Sequence, residues 1–88
     1  MHNLIKLQAF GGEEYYGIVI DYYKETYYDD YTGDYEFILA IVRWTDGSTT
    51  AEEWVLGSTY YRYADGEWIA ISSEQEWMEF LCQLKQEI

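Results

Sequence analysis

Six carboxylates, Asp21, Glu25, Asp29, Asp30, Asp34 and Glu36, fall within residues 21–36, interleaved with six tyrosines and a single lysine, Lys24. Carboxylates at this density pair as acid and base, ligate a hard cation, or meet a cationic surface. The first use finds little support. Glu13-Glu14 and Glu52-Glu53 are neighbours that point to opposite faces of a strand, so neither is a natural dyad. With 17 acids in the chain, chance pairs are common and uninformative. Calcium wants clustered oxygens, but Asp29, Asp30, Asp34 and Glu36 miss the D-x-[DN]-x-[DN]-G spacing of the EF-hand loop. A cationic surface remains as the best counterpart.

Other reactive groups are scarce. His2 is the only histidine and lies near the chain start, and Cys82 is the only cysteine, without a partner base nearby in sequence. Zinc needs more Cys or His, and no G-x-x-x-x-G-K-[ST] phosphate cradle occurs. The expectation is a protein that is not an enzyme, with no cofactor and no metal site. Seventeen acidic against five basic residues leave a net charge of −12, which repels phosphates and disfavours direct nucleic-acid binding. The same field attracts and steers a basic protein surface. Acidity also keeps an aromatic-rich chain in solution, which is the bland alternative of a structural or accessory protein. A lone cysteine and the lack of an N-terminal apolar run suggest a reducing, cytoplasmic setting. The longest mostly apolar run, 37–42, is too short to span a bilayer, and no basic amphipathic helix is present to lie on one.

These side chains must be positioned by one small core, since 88 residues bury roughly 60% of their unfolded surface in a single domain, 1–88. Aromatic residues at 20% exclude a disordered acidic tail. Leu4 to Phe10 reads as a first strand and Gly11-Gly12 as a turn. From Tyr15 to Tyr23 the alternation places Tyr16, Ile18, Ile20 and Tyr22 on one face and Tyr15, Gly17, Val19, Asp21 and Tyr23 on the other. Lys24 to Asp34 lacks a clean period and is a long loop or a protruding hairpin, with Thr32-Gly33-Asp34 as its turn. Tyr35 to Trp44 is a long apolar strand expected to be covered on both sides. A two-residue Asp46-Gly47 turn pairs Trp44 with Thr49, Val42 with Ala51 and Leu39 with Trp54. Phe37, Leu39 and Ile41 then meet Trp54 and Leu56, while Ile38, Ala40, Val42 and Trp44 meet Ala51 and Val55. Asp65-Gly66 pairs Tyr63 with Trp68 and Tyr61 with Ala70. Arg43 and Glu52 could form an ordinary surface ion pair.

Ser73-Glu74-Gln75-Glu76 is a capping box opening a helix over 73–88, with Trp77, Phe80, Leu81, Leu84 and Ile88 on one stripe and Glu79, Gln83 and Glu87 opposite. The stripe suits an apolar face of the long strand. The fold class is α+β, mainly β: a strongly bent antiparallel sheet or SH3-like barrel of five or six strands over 1–71, with one C-terminal amphipathic helix packed on it.

"GIVI" at residues 17–20 and "FILAIVRWTDGS" at residues 37–48 resemble the bent-strand and D-G hairpin core of SH3-like, Tudor-type barrels. That resemblance implies an aromatic cage for a methylated or otherwise cationic peptide, with Tyr22, Trp44, Tyr61, Tyr63 and Trp68 as its rings and Asp21 as a nearby carboxylate. The segment beginning "YADGEWIAISSEQEWMEF" is similar to small acidic bacterial proteins of unknown function, which assigns no activity. By type, a tiny acidic tyrosine-rich domain resembles phage-encoded inhibitors of host defence, including anti-CRISPR proteins and DNA mimics. This implies a partner such as a CRISPR effector, within the cytoplasm of a host cell, whose basic nucleic-acid channel is blocked by carboxylates standing in for phosphates.

A folded chain of this mass exposes on the order of 5,400 Å², or roughly 450 Å² per net charge, against about 100 Å² on a DNA cylinder. Mimicry therefore requires the acids to gather, and residues 21–36 carry a local net charge of −5, six acids less one lysine. The expected contact residues are Asp21, Tyr23, Glu25, Tyr27, Tyr28, Asp29, Asp30, Tyr31, Asp34 and Glu36. Asp34 and Glu36 lie about 6.6 to 7 Å apart on one face, which Asp30 joins if the strand extends backward. Tyrosines supply rigid contact area at small entropic cost. The same rings also suit simple cross-strand packing with solvated acids between them. A tyrosine-rich edge strand also points to pairing with a second copy.

Overall fold

The computed structural model describes residues 3–86, with side chains through Leu84. Six strands, β1 (Leu4–Gln8), β2 (Glu14–Asp29), β3 (Gly33–Trp44), β4 (Thr49–Glu53), β5 (Tyr60–Ala64) and β6 (Glu67–Ala70), precede one helix, α1 (Glu74–Gln86). All six pair antiparallel in one sheet of order β4-β3-β2-β1-β5-β6. The fold is mainly β with a C-terminal helix, as the sequence indicates. The sheet is open, since β4 and β6 are its edges. It is also bent, because the Tyr60 hydroxyl of β5 reaches Glu52 Oε1 of β4 at 2.9 Å, although three strands lie between them in the sheet.

Two Asp-Gly turns behave differently. Asp65 (φ +53°) and Gly66 (φ +82°) both occupy the left-handed region, which is the two-residue type I′ geometry, and Tyr63–Trp68 and Tyr61–Ala70 pair as expected. At Asp46-Gly47 only Gly47 does so (φ +90°), and Trp44 N–H donates to Ser48 O. The loop is Thr45-Asp46-Gly47, three residues long. Asp46 Oδ1 fixes it by accepting from Ser48 N–H at 2.8 Å and Ser48 Oγ at 2.6 Å. The register slips by one residue, so Arg43 pairs with Thr49 and Ile41 with Ala51. A one-residue slip exchanges faces. Ala51 therefore opposes Ile41, and Trp54 packs against the helix-side core, the reverse of the expectation. Leu56 is 94% exposed and Val55 is exposed too, outside the strand altogether. Glu52 shares the helix-side face with Ala40 and bonds Tyr60, so the expected pair with Arg43 does not form.

A bulge corrects the faces of β2. Val19 pairs with Val42 and Asp21 with Ile41, leaving Ile20 as the extra residue. Tyr22 consequently sits opposite Ala40 on the helix side with Gly17 and Val19, and not with Tyr16 and Ile18. Gly17 is demanded by packing: a Cβ there would stand 2.7 Å from Arg43 O and 2.9 Å from Trp44 Cε3.

Ser73 caps α1, its Oγ accepting from Glu76 N–H at 3.1 Å, while Glu76 Oε2 accepts from Ser72 N–H, one residue earlier than a reciprocal box requires. Trp77, Phe80, Leu81 and Leu84 are buried against Ile5, Val19, Ile38, Ala40, Val42, Trp44, Tyr60 and Ile71. Each such side chain contributes about 1.5–3 kcal/mol by leaving water. Ile88, Glu87 and His2 lie outside the described residues. The helix covers one face of β3 only, so that strand is not sandwiched as expected: Leu39 and Ile41, on the other face, are half-buried.

Candidate functional site

Residues 21–36 form a hairpin and not a loop. β1 stays on β2 only as far as the Leu4–Ile18 pair, and β4 stays on β3 only as far as Leu39–Glu53. Beyond these points β2 and β3 continue alone to the Asp29–Gly33 pair, with the turn at Asp30-Tyr31-Thr32 and Gly33 at φ +79°. Asp29 Oδ1 closes the turn by accepting from Tyr31 N–H at 2.8 Å. The turn lies two residues earlier than Thr32-Gly33-Asp34. The projection shows in the whole molecule: the radius of gyration is 13.5 Å against about 12 Å for a compact chain of this length, and 6279 Å² is exposed.

Strand alternation sorts the ten expected contact residues. Asp21, Tyr23, Glu25, Tyr27 and Asp29 alternate acid and ring along the open face of β2, away from α1. Asp34 and Glu36 share the opposite face with Tyr28, Thr26 and Lys24, and Asp30 and Tyr31 occupy the turn. The acids therefore wrap the ribbon instead of forming a single row. Tyr28 is 84% and Tyr31 96% exposed, so their hydroxyls face water. The one ion pair among the described residues joins Lys6 to Glu14 at 3.9 Å, so none of the hairpin carboxylates is held in an ion pair, although Lys24 shares a face with Asp34 and Glu36. No three of them converge as a metal-binding group among the described residues.

The ribbon has its own support, and sequence reading missed the part that Phe37 plays in it. Phe37 is buried outside the helix-side core, with Tyr27 stacked on it at 4.9 Å and 13°. Tyr27 also stacks on its cross-strand partner Tyr35 at 5.5 Å. Once the turn is placed at 30–32, pairing arithmetic puts these rings together; the missing signal was the turn position. This stack meets the cross-strand packing expectation for Tyr27 and Tyr35, while Tyr28 and Tyr31 stay free of it.

The five rings of the cage reading divide between two faces. Trp44 is buried on the helix side, donating Nε1–H to Thr50 Oγ1 at 2.7 Å, and Tyr22 packs beside α1, where burial and then the Cys82 thiol raise its phenol above the usual range. Tyr61, Tyr63 and Trp68 lie on the open face, joined by Tyr16, whose ring is 5.6 Å from Trp68. A cation already occupies this group: Lys6 Nζ lies 4.4 Å from the Tyr61 centroid and 5.4 Å from that of Trp68. Neither Lys6 nor Tyr16 is marked in the sequence, because only the β1–β5 pairing brings Lys6 beside Tyr61. No protein-family model, curated protein or solved structure matches the chain.

Proposed function

We propose that this protein is a non-enzymatic acidic decoy that binds and blocks the basic nucleic-acid-binding surface of a partner protein, in the manner of phage-encoded DNA mimics and anti-CRISPR inhibitors. One observation carries the reading: a projecting ribbon of net charge −5 whose carboxylates form no ion pair within the described residues and whose outermost tyrosines are exposed. Both faces and the tip of such a ribbon are negative, which suits insertion into a channel better than docking on a flat patch. Charge draws the partner in and sets register, and the exposed rings supply contact area once water is displaced. The test is capture of basic nucleic-acid-binding proteins on the immobilised domain, with duplex DNA as competitor, at low and high ionic strength. Capture should be lost at high salt and on the triple change Asp29→Lys, Asp30→Lys, Asp34→Lys, with the fold intact by circular dichroism. Capture insensitive to salt and to the triple change overturns the reading.

The cation held by Tyr61 and Trp68 favours a second reading, an ammonium site that a partner's cationic side chain enters when Lys6 leaves. Methylated-lysine peptides then shift tryptophan fluorescence, and Trp68→Ala abolishes the shift; silence across a peptide panel rejects it.

A further inference from the structure

The outer edge of β3 from Gly33 to Ile38 carries no strand, and the cause lies one residue beyond β4. After the Leu39–Glu53 pair, Trp54 turns under the sheet and donates its indole Nε1–H to Ile71 O at 2.9 Å. The exposed edge has a defined polarity. Trp44 N–H points toward β4, donating to Ser48 O at 2.8 Å, so strand alternation sends the N–H and C=O of Val42, Ala40, Ile38, Glu36 and Asp34 to that same side. Val42 and Ala40 lie opposite β4, and Ile38 O accepts from Trp77 Nε1–H at 3.0 Å. Among the described residues, no strand lies beside Glu36 and Asp34 on this side.

We propose that this edge receives an extended segment of the cationic partner by strand addition, extending the sheet along Asp34 and Glu36. The inference rests on the cationic-partner reading above and names how that partner is gripped. The face chemistry specifies the segment. Side chains placed beside Asp34 and Glu36 meet two carboxylates, while those on the other face meet the Tyr35–Phe37 rings. An added strand therefore alternates cationic and apolar residues, main-chain bonds supplying affinity and side chains supplying choice. A second copy of this chain is the wrong occupant for this edge, since it would set Asp34 and Glu36 against the like charges of its own ribbon. Acidic residues on an open edge deter self-pairing and select an opposite charge by the same means.

The probe is an acetylated, amidated peptide of alternating arginine and valine, (Arg-Val)3-Arg, compared with its fully N-methylated analogue, which keeps the charge and lacks every N–H donor. The alternating peptide should bind at least tenfold more tightly at low salt and slow hydrogen exchange at the Asp34 and Glu36 amides. Two variants separate edge from charge. Glu36→Pro removes an outward N–H that the β2–β3 ladder does not use, and it should abolish the advantage of the alternating peptide. Glu36→Gln should keep that advantage. Equal binding of the two peptides, or protection confined to residues 22–28 of β2, overturns strand addition while leaving the cationic-partner reading in place. If neither peptide binds, strand addition falls, and the DNA-competed capture experiment then decides separately whether the decoy reading falls with it.

Discussion

Tyr60 shows how one buried hydroxyl ties the fold to pH. Burial, followed by the charge and hydrogen bond of Glu52, holds its phenol above the ordinary value of 10.0. A raised folded-state value means that Tyr60 favours folding below about pH 10 and that this contribution is lost as pH climbs beyond it, because the unfolded chain gives up the proton first. Stability should therefore fall on the alkaline side, and Tyr60→Phe should flatten that part of the pH profile in thermal melts. Gly17 sets a steric limit of a different kind. Gly17→Ala forces a Cβ to within 2.7 Å of Arg43 O and should cost on the order of 1–3 kcal/mol in urea unfolding, with no effect on charge. Nothing in a single sequence reveals that limit; the glycine reads only as one residue of an alternating strand.

At the level of elements, legibility followed the range of the interactions. Asp65-Gly66 and the Ser73 cap were readable because their chemistry is complete within four residues. Ser73→Ala should cost about 1 kcal/mol of stability. Asp46-Gly47 misled because Ser48, the next residue, offers Asp46 two donors and lengthens the loop by one, and the slip then exchanged the faces of Ala51 and Trp54. The bulge at Ile20 likewise left the alternation pattern unbroken on paper while moving Tyr22 to the other side. The projecting hairpin belongs at this scale too. A two-stranded ribbon is marginal in water, and the Tyr27–Phe37–Tyr35 stack is what stiffens it. Tyr27→Ala should speed hydrogen exchange at residues 23–37 well before it lowers the global melting point, since the helix-side core lies elsewhere.

For the whole molecule, composition marked the projecting segment better than pattern did. The gathering of charge in residues 21–36 was evident from the sequence, as was the helix that covers one side of the sheet. The open opposite face, the wrapping of acids around a ribbon and the capture of Lys6 between rings depend on which strands lie beside each other, and that is a long-range property. A helix-capped base with a narrow negative projection follows, 43 Å along its longest dimension. The central claim is that this projection is the ionic contact with a cationic partner. The most direct measurement is the affinity for a captured nucleic-acid-binding protein, followed across a salt titration for the natural chain and for the chain with Asp29, Asp30 and Asp34 changed to lysine. The account predicts that affinity falls steeply with salt and that the triple change lowers it at least tenfold at low salt, with an unchanged melting point. Equal affinities for the two chains at every salt concentration contradict it.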